Sequence, residues 1–257
     1  MPSQQKNPTS IKSVNKVALI TGAAKRIGKE IAKELHQSNI NIVLHFNNAK
    51  NEAKILCDEF NRKRANSALP LSLDLTSPNA DKLLIDRSLQ HFNRLDYLVN
   101  NASIFFPTPF MHSNSELVNS FLRVNSLVPR RLMKRAAPIL NINKGAIVNI
   151  IDIYANRGLI DHTHYVASKN ILMELTKEFA HSLAPEVRVN AVSPGAILWP
   201  ESNNNEVSKQ ADIIENSALK RLGRSKEISQ TVRYLLLEAT YTTGANINVD
   251  GGRSLYI

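Results

Sequence analysis

Cysteine is nearly missing: Cys57 is the single one in 257 residues, so no internal disulfide can form, which fits a reducing compartment. No apolar run approaches the roughly 18 residues of a membrane helix. Met1 to Asn15 has no apolar signal core and, rich in Ser, Gln, Asn and Pro, reads as a flexible tail. The expectation is a cytoplasmic protein without a membrane partner. Aromatic residues make up only 6%, and no nucleic-acid motif accompanies the net charge of +10. The densest basic group, Arg130, Arg131, Lys134 and Arg135, therefore reads as a solvated or subunit-facing stripe, with no nucleic-acid partner expected. His162 and His164 have no Cys or further His nearby, so no metal is expected. There is no internal repeat and no linker, and residues 16–257 are expected to form one domain.

What the chain does have is 43% hydrophobic and 21% charged residues, the composition of a soluble globular protein. Short apolar, β-branched runs alternate with amphipathic stretches. Val17 to Ile20, Ile42 to Phe46, Leu69 to Leu73, Leu95 to Val99, Ile147 to Ile151, Val187 to Val192 and Ile247 to Val249 read as buried strands. Ile27 to Gln37, Ala80 to Phe92, Ser115 to Leu140, Thr163 to Leu183 and Lys226 to Leu237 read as helices. Alternation of this kind predicts a doubly wound α/β fold, a mostly parallel seven-stranded sheet with helices on both faces. The long polar stretch from Gly195 to about Asn216 reads as a substrate lid. Trp199 at its start either closes over the substrate or packs against its own loop.

Directly after the first strand comes Thr21-Gly22-Ala23-Ala24-Lys25-Arg26-Ile27-Gly28, running into a helix. Gly22 permits a tight turn, Gly28 permits close packing of helix on strand, and the helix N-terminus offers free N–H groups to a pyrophosphate. The second strand ends His45-Phe46-Asn47-Asn48, without the carboxylate that usually binds the ribose 2′-hydroxyl of NAD. Its absence permits a 2′-phosphate, and the expected cofactor is NADPH. Lys25 and Arg26 either add positive charge near that phosphate or are ordinary solvent-facing residues at a helix start.

Asp152 lies thirteen residues before Tyr165, which opens Tyr165-Val166-Ala167-Ser168-Lys169. A Tyr and a Lys four residues apart share one helix face, where the ammonium is expected to lower the tyrosine pKa from its reference near ~10 towards working pH. That arrangement supplies a proton for a reduction. Asp152 reads either as a third member of this group or as a cap after the strand.

Four separated motifs, Thr21-Gly22…Gly28, Asn100-Asn101-Ala102-Ser103, Tyr165…Lys169 and Pro194-Gly195, together resemble the short-chain dehydrogenase/reductase family, over nearly the whole chain from residue 16 to 252. The resemblance implies that Asp74, with Leu75 beside it, touches the adenine and that Asn101, Ala102 and Ser103 pass beside the cofactor. Pro194 and Gly195 border it, Asn125 joins the proton relay, and Lys169 holds the nicotinamide ribose. It also implies a homotetramer built partly through the helix of Tyr165.

Three departures from the common family pattern, Arg26 for a glycine, Ser103 for a glycine and Asp152 for the catalytic serine, are similar to pteridine reductases and dihydromonapterin reductases. The implied substrate is a pterin, a flat ring that Phe105 could stack against. Phe105 and Phe106 as plain core residues are the other reading. Arg26 and Ser103 would bond the pterin or the cofactor. A carboxyl at Asp152 suits a C=N bond, since it can accept from pterin N–H groups and assist proton delivery from Tyr165. Two competing expectations remain: a carbonyl reductase such as a 3-oxoacyl carrier-protein reductase, and a non-catalytic NADPH-binding scaffold.

Overall fold

The computed structural model describes residues 15–109, 111, 113–197 and 207–256. Seven strands, β1 (Val17–Ile20), β2 (Asn41–Phe46), β3 (Ala68–Ser72), β4 (Tyr97–Asn100), β5 (Ala146–Ile150), β6 (Arg188–Pro194) and β7 (Asn246–Val249), form one sheet. Its order is β3-β2-β1-β4-β5-β6-β7, and every neighbouring pair is parallel. The central strands β1, β4 and β5 are buried on both sides because both faces are covered. Ala18 and Ile20 of β1 enter one core, and Val17 and Leu19 enter the other.

The first core is closed by α1 (Arg26–Gln37), α2 (Lys50–Lys63) and α8 (Ser225–Leu237), the second by α3 (Ala80–Phe92), α5 (Val128–Asn143) and α6 (Thr163–Leu183). The chain winds outward from β1 to β3, then returns to place β4 on the other side of β1. That reversal opens a crevice at the carboxyl ends of β1 and β4, the place where sheets of this topology bind ligands.

The expected helix Ser115 to Leu140 is not continuous. α4 (Ser115–Leu122) passes through a π-helical turn, Arg123–Leu127, into α5. The wider turn brings Asn125 and Ser126 inside, where both are fully buried. The expected lid is also not irregular throughout: Val207–Glu215 is a helix, α7. Val207, Ala211 and Ile214 recur at helical spacing there, a pattern masked by the polar residues around it. Trp199 and Asn203 to Asn205 lie outside the described residues. Arg131 and Arg135 of the basic stripe approach Asp81 of α3 at 4.0 and 3.6 Å. No helix among the described residues is long and apolar enough to cross a membrane.

Candidate active site

The turn after β1 is held by its own backbone and by neighbours from two strands. Thr21 Oγ1 accepts the N–H groups of Asn101 and Ala102, each at 3.0 Å. Asn101 Nδ2 donates to the carbonyls of Thr21 and Gly22 at 2.9 and 3.0 Å. Gly22 has φ +63°, and a Cβ on Gly28 would sit 2.2 Å from the Gly22 carbonyl oxygen, so both glycines are required sterically. Ile27 packs against the first core. The first turn of α1 has no side-chain cap and no acidic residue, which leaves its N–H groups to an anion.

His45, one of the residues ending β2, is buried and reaches the first turn from behind. Its Nε2–H donates to the Leu73 carbonyl at 2.8 Å while its Nδ1 accepts from the Gly22 N–H at 3.2 Å. A carbonyl can only accept, which fixes the tautomer. Burial lowers the His45 pKa, so the ring is neutral and acts as a clamp behind the turn. Phe46 is likewise buried, because strand alternation in a sheet covered on both faces turns both residues into core. Asn47 and Asn48 beyond it are exposed. Lys25 is paired with Glu52 of α2 at 2.7 Å. Arg26 is exposed and stands in left-handed backbone, φ 52°, where a glycine would be unstrained.

Asp74 accepts the N–H and hydroxyl of Thr76, both at 2.8 Å, which hold its carboxyl below the usual range. Leu75 is buried beneath it. Pro194 ends β6, and a Cβ on Gly195 would meet Asp250 Cα at 2.7 Å. The uncapped helix start, the two required glycines and the exposed asparagines fit a dinucleotide.

At the other end of the crevice Tyr165 lies in the first turn of α6. Its hydroxyl donates to Asp152 Oδ2 at 2.7 Å, while Asp152 Oδ1 accepts the Tyr154 N–H at 3.0 Å. Asp152 is thus both a cap, for the 3₁₀ turn Ile153–Asn156, and the tyrosine's partner. Burial raises the Asp152 pKa, partly offset by its two hydrogen bonds and by Lys169. Lys169 is 3% exposed; its Nζ donates to the Ile150 carbonyl at 2.8 Å and lies 5.8 Å from the Tyr165 ring centroid. Burial lowers the lysine to about 8.

The expectation that Lys169 lowers the Tyr165 pKa is not met. Burial, and then the charge and hydrogen bond of Asp152, push the phenol well above its ordinary value. The carboxylate is in direct contact and the ammonium is not, so the nearer charge decides. Tyr165 therefore holds its proton and is a donor.

Asn125 meets neither Lys169 nor Tyr165 through its side chain. Its Oδ1 accepts from the Ile104 N–H at 2.9 Å and the Ser103 hydroxyl at 3.1 Å. Its Nδ2 donates to the Ile104 carbonyl at 3.1 Å and Ser168 Oγ at 3.0 Å. With all four positions filled, Asn125 fixes the segment after β4 against α6. That segment ends in Phe105, which is 56% exposed. Its ring meets Tyr165 edge-on, centroids 4.7 Å apart, and stacks on His162, also at 4.7 Å. Phe106 contacts buried Phe121 but is itself 40% exposed, so neither phenylalanine is a plain core residue.

Three further residues complete the surroundings of the site. His162 backs Phe105, its Nδ1–H tied to the Ile160 carbonyl at 2.7 Å. Glu52 meets Lys25 from α2. Arg253, 8% exposed, donates to the Tyr154 hydroxyl at 3.2 and 3.0 Å and to the Ile213 carbonyl at 3.1 Å. It joins the turn carrying Asp152 to α7. The order Gly251-Gly252-Arg253 was the available signal, since a turn there returns the chain to the site. Asp152 also lines a cavity of about 410 Å³ with Asn156, Asn246, Asn248 and Ser254 among its walls. Among the described residues no group of three or more metal-binding side chains is assembled.

Comparison with known proteins agrees with this geometry. Residues 22–254 match the family profile described as enoyl-(acyl carrier protein) reductase. Pteridine reductase 1 of Leishmania tarentolae is 32% identical over 280 residues, covering 93% of this chain and 96% of the relative. The 3-oxoacyl-[acyl-carrier-protein] reductase FabG of Buchnera aphidicola is 33% identical over 245 residues, covering 94% and 98%. That of Staphylococcus epidermidis is 30% identical over 242 residues, covering 93% and 99%. With these matches along nearly its whole length, the chain belongs to the short-chain dehydrogenase/reductase family of oxidoreductases.

Proposed function

We propose that the protein is an NADPH-dependent pteridine reductase that converts dihydropterins to tetrahydropterins, with dihydrofolate as a further substrate. The observation that carries this is the 2.7 Å contact of the Tyr165 hydroxyl with a carboxyl, Asp152, beside the exposed ring of Phe105. Reduction of C=N adds a hydride to carbon and a proton to nitrogen. Bound NADPH supplies the hydride. Tyr165 gives the proton, and Asp152, its pKa raised by burial and itself among the residues lining the cavity, passes a replacement from solvent. Lys169 keeps a positive charge beneath the phenol while the proton is away, and by family resemblance holds the nicotinamide ribose.

Phe105 supplies one face of a slot for a flat, electron-poor ring, and Ser103 and Arg26 stand at its rim. Cofactor contacts come from Gly22, Lys25, Arg26, Ile27, Gly28, Asn47, Asn48, Asp74, Leu75, Asn101, Ala102, Ser103, Pro194 and Gly195, with His45 and Phe46 behind the turn. α7, tied to the Asp152 turn through Arg253, stands on the substrate side. The working form is a homotetramer in the cytoplasm.

A carbonyl reductase is the second reading, favoured by the equal likeness to 3-oxoacyl-[acyl-carrier-protein] reductases. Asp152 speaks for the first reading instead, because a carboxyl can accept from the N–H groups of a pterin, which a ketone substrate lacks. A scaffold without catalysis would have no use for the buried Lys169 and Asp152, each of which lies in the core at a cost. Replacing Tyr165 with Phe tests the reading: turnover of dihydrobiopterin should fall by a factor of about a hundred or more, with NADPH binding nearly intact. Loss of both together would assign Tyr165 a structural role instead.

A further inference from the structure

The chain has no carboxylate at the end of β2, yet the fold brings one to that neighbourhood from α2. Glu52 lies in the first turn of α2, four residues beyond Asn48, and its Oε1 is 2.7 Å from Lys25 Nζ. Lys25 belongs to the turn between β1 and α1. The pair therefore bridges the two turns at the carboxyl ends of β1 and β2, the side of the crevice on which the adenosine ribose of a dinucleotide lies. As a source of stability it is weak, since the two side chains are 59% and 45% exposed. Its placement is what gives it a consequence.

A carboxylate beside the ribose favours a free 2′-hydroxyl and repels a 2′-phosphate. Lys25 cancels that charge, and its hydrogen bond is the largest influence holding the Glu52 carboxyl below its usual range. Arg26, the next residue, makes no ion pair among the described residues and adds an exposed positive charge to the same turn. We propose that Glu52 and Lys25 are a selectivity pair for the 2′ position of the dinucleotide. Lys25 is shared between Glu52 and the 2′-phosphate, and Glu52 limits how strongly the phosphorylated cofactor is preferred. This rests on the reading that the chain binds a nicotinamide dinucleotide, and not on which substrate it reduces.

The test is calorimetric titration of NADP⁺ and NAD⁺ into the full-length protein and into Glu52→Gln, Lys25→Ala and the double variant. Removing Glu52's charge should tighten NADP⁺ on the order of three- to tenfold, the size of a solvent-exposed charge pair several ångströms apart, and leave NAD⁺ within about twofold. Lys25→Ala should weaken NADP⁺ by a similar or larger factor and spare NAD⁺. The double variant should fall between the singles, because the uncancelled carboxylate is then gone. Raising the salt concentration should shrink all three differences. An affinity ratio for the two cofactors that is unchanged in Glu52→Gln would overturn the proposal. Failure of the unaltered protein to bind either dinucleotide would instead overturn the cofactor reading beneath it. Melting temperatures near that of the parent keep the variants comparable.

Discussion

Lys169 can be exchanged for Met, which keeps the length and apolar stem and removes the charge. Burial shifts this ammonium from its ordinary 10.5 to about 8, so at pH 7 the folded protein carries a charge that it disfavours. The unfolded chain binds that proton more tightly, and the sign follows: a depressed lysine costs stability below its folded pKa and ceases to cost it as pH rises above its unfolded one. A shift of this size corresponds to about 3 kcal/mol, from which losing the hydrogen bond to the Ile150 carbonyl removes about 1 kcal/mol. Lys169→Met should therefore stabilise the fold by about 2 kcal/mol at pH 7 while abolishing turnover. Urea unfolding followed by far-ultraviolet circular dichroism at pH 7 and pH 9.5 measures it. The gain should shrink by about 2 kcal/mol at the higher pH, where the folded protein already holds the lysine neutral. A variant less stable than the parent at pH 7, or a difference independent of pH, would refute the buried-charge account.

Three further outcomes follow from the site. His45→Phe fills the same volume but leaves the Gly22 N–H and Leu73 carbonyl unpaired; it should lower stability by about 2 kcal/mol and raise the Kd for NADPH, read by thermal melts and calorimetry. Arg26→Gly should raise stability by about 1 kcal/mol by relieving left-handed backbone, while weakening substrate binding in steady-state kinetics. Phe105→Ala should raise the KM for dihydrobiopterin by about tenfold, the worth of one aromatic face, with a smaller effect on kcat.

Much of the frame was legible in the sequence because apolar spacing alone determines it. Val17 to Ile20, Ala80 to Phe92 and Thr163 to Leu183 have the same bounds in the sequence reading and in the fold. The glycines of the first turn were legible for a similar local reason: a positive φ and a 2.2 Å approach admit no side chain. What could not be read depends on partners distant in sequence. Tyr165 and Lys169 share a helix face, as four-residue spacing requires. The pairing of Tyr165 with Asp152 was among the sequence expectations, yet the lysine is drawn instead to the Ile150 carbonyl, 19 residues away. Their electrostatics follow from those distances. His45 occupied the expected position for a cofactor residue, but only the sheet shows that its ring turns inward. Helical spacing at Val207, Ala211 and Ile214 was present and was outweighed by the polarity around it.

The central claim is that a carboxyl beside Tyr165 commits this site to C=N reduction. It is tested most directly by following NADPH absorbance with dihydrobiopterin, dihydromonapterin and acetoacetyl-coenzyme A, each with the parent and with Asp152→Ser. The account predicts rapid oxidation with a dihydropterin and almost none with the acetoacetyl substrate, and loss of the pterin activity in the variant. Oxidation with acetoacetyl-coenzyme A alone, or pterin reduction indifferent to Asp152, would contradict it.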